Sequence, residues 1–474
     1  MLKKNQVLTA EITDYTSAAL GVCKVDGFVV FVKGALVGEV CEILILKVQT
    51  THAYAKIVKV LEPSPRRAQP QCPVADKCGG CSLWHMDYAE ELKFKQAQVE
   101  QCFRKIAKSD IVLEPIIPAE NITGYRNKAQ FPVGEQADGR VVFGFYREKS
   151  HDIVAVEECL IQSEVANRLA RAVAGWIKAN SVPLYDPDTK TGIIRNILVK
   201  TGHKTGQTML ALVCAQKNVP GLDKLVEKVL KKAPEVVSII LNINTSPNNA
   251  VLGRQCITVY GSGHITDSLC GLDFNISPLS FYQINSPQAE KLYNTALDFA
   301  RIDKDTQVLD LYCGTGTITL CAAARAKSAI GIEIVPQAIA DAKENAKMNR
   351  VENAEFFCAD AADFAQVIKD KGINPDVVIV DPPRKGLDQP AIDQLLQLGA
   401  GKIVYISCNP ATLCRDIALL GEGYKIEQAV PVDLFPRTVH VETVVLLSKL
   451  KSKKSIGLDN DIHDETVAFL SKLK

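Results

Sequence analysis

The sequence predicts a multidomain protein: a parallel α/β domain, a mixed α+β region before it, and a small five-stranded OB-like β-barrel at the front. Three observations predict this. Residues 6–61 alternate short β-branched runs with tight-turn signals at Asp26-Gly27, Lys33-Gly34 and Val37-Gly38. From about residue 285, helical and strand patterns alternate up to Lys449, as crossover-connected parallel strands require. Pro63, Pro65 and Pro70 mark a linker after the barrel.

At 474 residues the chain has room for about three domains. The expected divisions are 1–64 for the barrel, 65–260 for the central region, 261–450 for the α/β domain and 451–474 for a polar tail. The tail carries an amphipathic piece near 465–473. No apolar run approaches the roughly 18 residues of a membrane helix. Lys3 and Lys4 are not followed by an apolar stretch, so no signal peptide is expected and the predicted location is cytoplasmic. A net charge of +1 does not advertise a nucleic-acid partner. The 15 cysteines are expected to be reduced in that compartment.

In the central region a helix is expected from 87 to 107. Strands are expected near 129–132, 141–146, 193–200, 208–215 and 237–242, with helices near 163–180 and 222–232. Gly124 to Phe131 mixes aromatics with Arg126 and Lys128, the composition of a stacking and phosphate-contact surface.

The α/β domain carries the chemistry. A strand candidate, 306–311, runs into Tyr312-Cys-Gly-Thr-Gly-Thr, where Gly314 and Gly316 let a ligand approach the backbone. The next strand ends in Glu333, 23 residues after Asp310, where an acid can bind ribose hydroxyls. A third apolar run ends in Asp381 and enters Pro-Pro-Arg384, a stiff loop at the ligand-binding edge of such sheets. In this order the motifs look like class I methyltransferases, Rossmann-like enzymes that use S-adenosylmethionine. Methylases acting on exocyclic amines usually carry an aromatic residue where Arg384 stands.

A further strand, 402–407, leads into Cys408, at the same edge as the cofactor. With a helix expected near Thr412, the nearby helix N-terminus predicts a lowered thiol pKa. A thiolate there can add to C6 of uracil and make C5 nucleophilic, which is covalent catalysis. A base must then remove the C5 proton. Glu442 is the choice, and His440 its rival.

Cys72, Cys78 and Cys81 place three thiols within ten residues, and Cys159 supplies a fourth. Thiolate sets of this kind bind zinc or an iron–sulfur centre, and spacing does not separate the two. It does differ from the C-x3-C-x2-C of radical S-adenosylmethionine enzymes.

D-P-P-R-K-G, S-C-N-P and F-P-x-T-x-H-V-E-T together resemble the RNA uracil-5-methyltransferase family over nearly the whole chain. The resemblance implies Cys408 as nucleophile and Glu442 as base. It implies S-adenosylmethionine contacts at Gln283, Tyr312, Glu333 and Asp381, with Asp360 on the adenine side. The 23S ribosomal RNA members carry C-x5-C-G-G-C and a distant cysteine, binding [4Fe–4S], and the barrel resembles a TRAM domain. Bacterial tRNA members typically lack both features. The expectation is therefore a monomeric 23S rRNA (uracil-C5)-methyltransferase with a [4Fe–4S] cluster. The alternatives are a tRNA enzyme of the same chemistry and a non-catalytic RNA-binding protein.

Overall fold

The computed structural model describes residues 2–247, 250–361 and 363–450. The amphipathic piece expected near 465–473 lies outside the described residues. Among the described residues no helix is long and apolar enough to cross a membrane.

The N-terminal sheet has six strands rather than five: Val7–Glu11, Asp14–Tyr15, Leu20–Val25, Phe28–Lys33, Val40–Val48 and His52–Glu62. The extra one is the two-residue piece at 14–15, too short to leave a periodic signal. In spatial order they run first, fifth, sixth, fourth, third, second. Alternate residues such as Val30, Val32, Cys41, Ile43 and Ile45 form its core, the period of two that a half-buried strand demands. Asp26 (φ 49°) and Gly27 (φ 80°) are both left-handed, as a tight two-residue hairpin turn requires.

A helix Tyr88–Cys102 follows, with the Asp87 carboxylate accepting from the Glu90 N–H at 2.7 Å. It continues as a wider π turn, Phe103–Ala107. Val99 and Phe103 are buried in the core of the C-terminal domain. The central domain is a seven-stranded sheet. All five expected strands are present, and Ile153–Ala155 and Gln255–Gly261 extend the two edges. Helices Glu164–Ala179 and Leu222–Lys232 bury Trp176, Ile177, Leu225 and Val229 against it.

The C-terminal sheet also has seven strands, with helices on both faces. Strands Gln307–Leu311, Ser328–Glu333, Ala354–Cys358, Val377–Val380 and Lys402–Ser407 run parallel. Tyr424–Val432 and Glu442–Lys449 complete it. Glu442–Lys449 pairs antiparallel with both Lys402–Ser407 and Tyr424–Val432. The alternating pattern predicts a parallel sheet, and Glu442–Lys449 alone departs from it. Its connection from Tyr424–Val432 is the short segment 433–441, far too short for a parallel crossover. The consequence is positional: the start of the last strand, Glu442, arrives at the edge where the parallel strands end.

Candidate active site

The cofactor edge is built by backbone strain. Tyr312 (φ 66°), Gly314 (φ 54°) and Gly316 (φ 81°) all take left-handed conformations directly after strand Gln307–Leu311. A Cβ on Gly316 would lie 2.8 Å from the Phe356 ring, so the turn has no room for a side chain there. The Glu333 carboxylate is pinned at this turn. Its Oε2 accepts from the Gly314 N–H at 3.3 Å, and its Oε1 from the Val335 N–H at 3.0 Å. Tyr312 sits half-buried beside it, its hydroxyl pKa raised by burial and then by Asp388, Asp360 and other acids. Asp360 is exposed and close enough to Tyr312 to be felt there.

Two acids lie behind this turn. Asp310 is fully buried, and burial pushes its carboxyl up to about 7. The Thr319 hydroxyl donates to its Oδ2 at 2.5 Å, while Oδ1 has no hydrogen-bond partner among the described residues. Burial likewise pushes Asp381 up to about 7. Asp381 faces the buried Tyr293 hydroxyl, and the Gln283 side chain reaches that same hydroxyl. Gln283, Tyr293 and Asp381 thus share one wall. The Asn127 amide from the central domain donates to the Gln283 carbonyl at 2.7 Å and fixes the segment.

Two loops converge on Cys408. Asn409 caps the helix Pro410–Leu420 by accepting from the Ala411 N–H at 3.1 Å. Its amide donates to the Arg384 carbonyl at 3.1 Å, and the Thr412 hydroxyl donates to the same oxygen at 3.2 Å. The Pro-Pro-Arg loop and the Cys408 loop are therefore one unit. Ser407 pairs with Thr443 across the antiparallel ladder, which makes Cys408 and Glu442 neighbours. The Cys408 thiol is half-buried and its pKa is raised, first by burial and then by Glu442 and Asp381. The expected lowering does not occur, because burial penalises the thiolate and two carboxylates face the sulfur. Arg384 opposes them, bonding the thiol side chain.

Glu442 is buried, and its carboxyl lies well above the usual range through burial and then Asp381. His440 differs: burial and then Arg384 push it down to about 4. It is neutral at pH 7 and weakly basic, with Nε2 3.3 Å from the Arg384 guanidinium. All of Gln283, Tyr312, Glu333, Asp381, Cys408 and Glu442 come to one edge of the sheet. Sequence reasoning missed Arg384 and Tyr293 as members of this group. Arg384 stood in a legible motif, whereas Tyr293 lies inside an ordinary amphipathic helix and left no signal.

Cys72, Cys78, Cys81 and Cys159 line one cavity of about 280 Å³ with Arg126, Lys128 and others. Burial pushes Cys81 up to about 12 and Cys159 up to about 11. Among the described residues no group of three His, Cys, Asp or Glu side chains is gathered tightly enough for a single metal ion. A four-iron cube holds its thiolates apart by its own width, so it does not need them to meet at a point. The donor chemistry and the shared cavity fit such a group.

The segment 124–131 departs from the stacking surface expected of it. Tyr125 and Phe131 are buried, and the Tyr125 hydroxyl donates to the Pro436 carbonyl at 2.9 Å.

The glycine-rich turn, the carboxylates at the strand ends and the wound α/β sheet define an S-adenosylmethionine-dependent class I methyltransferase. Residues 271–450 match the family described as tRNA (Uracil-5-)-methyltransferase, and residues 2–58 match the TRAM domain. An "Uncharacterized RNA methyltransferase" of Staphylococcus epidermidis is 43% identical over 446 residues, covering 94% of this chain and 98% of the relative. One of Clostridium tetani is 40% identical over 454 residues, with 96% and 98% covered. The crystal structure of Pyrococcus abyssi tRNA (uracil-54, C5)-methyltransferase with S-adenosyl-L-homocysteine is similar at a TM-score of 0.75 and 26% identity. That match covers 93% of this chain and 99% of the other. The chain belongs to the RNA uracil-5-methyltransferase family, and its partner is RNA.

Proposed function

We propose that this protein methylates C5 of a uridine in 23S ribosomal RNA, with Cys408 as nucleophile and Glu442 as base. The observation that carries the chemistry is the adjacency of Cys408 and Glu442 at the cofactor edge, with Arg384 between their charges. S-adenosylmethionine supplies an electrophilic methyl group when bound, and Gln283, Tyr312, Glu333, Asp381 and Asp360 would hold it. Arg384 favours the thiolate, which forms a bond from Sγ to C6 of uracil. Electron density moves to C5, which takes the methyl group. Glu442 takes the C5 proton, the C5–C6 double bond re-forms, and Sγ leaves. A carboxylate kept from water has the raised basicity this step needs.

Cys72, Cys78, Cys81 and Cys159 would hold a [4Fe–4S] cluster with a structural role, shaping the domain that faces RNA. Lys56 and Lys33, the latter paired with Glu148 at 3.0 Å, lie on the barrel. Beside them Phe31, His52 and Tyr54 pack with ring centroids 5.1 to 5.7 Å apart. Lys33 follows Phe31 by two residues and Lys56 follows Tyr54 by two, so they share that face. Aromatic rings interleaved with lysines suit single-stranded RNA.

A second reading is a tRNA substrate, favoured by the Pyrococcus abyssi likeness, which extends over the barrel and central domain as well. The overall architecture therefore does not separate the two. Mapping 5-methyluridine in ribosomal and transfer RNA from cells with and without this protein tests the proposal. Loss of a 23S rRNA site supports it, and loss confined to tRNA overturns it.

A further inference from the structure

Segment 433–441 carries Glu442 into the site, and its backbone is held in a costly shape. Arg437 takes a left-handed φ of 68°, a conformation that branched-out side chains avoid. Such strain persists only where surrounding contacts over-determine it. Here they come from three elements distant in sequence. Lys95, fully buried on the helix Tyr88–Cys102, donates to Glu91 Oε1 at 2.7 Å, to Asp433 Oδ1 at 2.8 Å and to the Phe435 carbonyl at 3.2 Å. The Tyr88 hydroxyl donates to Asp433 Oδ2 at 2.8 Å and accepts from the Ala119 N–H. Glu91 accepts from the Arg437 N–H at 2.7 Å. The segment next to the clustered thiols adds its own grip. The N–H groups of Ser82 and Leu83 donate to the Arg437 carbonyl, and the Arg437 guanidinium lies 5.0 Å from the Trp84 ring centre. The Tyr125 hydroxyl closes the third side at the Pro436 carbonyl.

Two carboxylates and two cations are buried here with matched charge. A buried ionic network is weak as a source of stability, since apolar packing of equal volume often does as well. What it supplies is a fixed geometry, because each partner has one place to be. The object being fixed is the loop that ends, five residues after Arg437, at the proton acceptor.

We propose that Tyr88, Lys95, Glu91 and Asp433 are positioning residues for proton abstraction. They hold the loop so that Glu442 faces C5 of the bound uracil, and they act after methyl transfer rather than before it. The inference rests on the reading of Glu442 as the base. It also makes the helix before the central domain, and the segment carrying Cys81, part of the second half of the reaction.

The test uses the full chain with Tyr88→Phe and Asp433→Asn, each compared with Glu442→Gln. The probe is total RNA from cells lacking this protein, grown so that uracil carries tritium at C5. The methyl donor carries carbon-14. Methyl incorporation in the first turnover reports the step at Cys408. Tritium release reports removal of the C5 proton, and a protein–RNA band on a denaturing gel reports the unresolved adduct. Both variants are expected to incorporate methyl groups at near the parent rate. Tritium release should slow by between about tenfold and a hundredfold, the scale of a misplacement near 1 Å, and the band should accumulate. Tritium release that keeps pace with methylation, or an equal slowing of both steps, overturns the inference. Should Asp433→Asn fail to fold, Tyr88→Phe decides alone, since it removes one hydroxyl and no volume of note. Absence of a band in Glu442→Gln sinks the reading of the base itself. A band there with none in Tyr88→Phe sinks only the positioning role.

Discussion

At the scale of residues, the site is a contest between desolvation and charge. Cys408, Asp381 and Glu442 are all pushed towards their protonated forms by burial. The proposed reaction needs the thiolate for methyl transfer and the Glu442 carboxylate for the proton step that follows. First-turnover methylation is therefore expected to rise as pH increases through neutrality, and a rate independent of pH between 6 and 9 would count against the role of Cys408. Cys408→Ala should abolish methylation while S-adenosylmethionine binding persists. Glu442→Gln should lower turnover by about 10²–10⁴ and leave RNA covalently attached, visible on a denaturing gel. Asp310 gives a stability effect of definite sign. Its folded pKa of about 7 exceeds its ordinary value. Stability is therefore complete below pH 4 and falls as pH rises to about 7, because only the unfolded chain releases the proton. Asp310→Asn should remove that loss, so the variant's melting temperature should gain on the parent at pH 8 relative to pH 5. Cys408, Glu442 and Asp381 were legible in the sequence because each sits in a short motif at a strand end. The direction of the Cys408 shift was not, because its burial and the facing acids belong to tertiary packing.

At the scale of elements, the turn after Gln307–Leu311 depends on residues without side chains. Gly316→Ala should cost about 1–2 kcal/mol from the left-handed φ alone, with a further penalty from the Phe356 contact. Thermal melting and titration with S-adenosylhomocysteine should both show the loss, and unchanged values would remove the turn from the cofactor site. The five parallel strands were legible as apolar runs bounded by acids and glycine. The reversal of Glu442–Lys449 was hidden, because an apolar run reads the same in either direction. Only the brevity of segment 433–441 carries that information. Tyr125 and Phe131 show the opposite error: composition suggested an RNA-facing surface, while both rings fill cores.

At the scale of the whole molecule, the strands of the front barrel and the alternating C-terminal pattern were legible from turn signals and a change of period. The bonds between distant parts of the chain were not. Asn127 to Gln283, Lys95 to Asp433 and Tyr125 to Pro436 join residues more than 150 positions apart. The thiol cavity adds a claim about the entire chain. Protein purified without oxygen should be brown and hold about four irons per chain by the cluster type, and Cys159→Ser should lose most of that iron. Colourless protein containing zinc would exclude the cluster.

The antiparallel last strand also orders events during synthesis. Ribosomes deliver Cys408 before Glu442. Strand Lys402–Ser407 lacks one of its two sheet neighbours until Glu442–Lys449 arrives. The edge that presents Cys408 is thus completed by the same segment that brings Glu442, so the Cys408–Glu442 pair exists only once the last strand is in place.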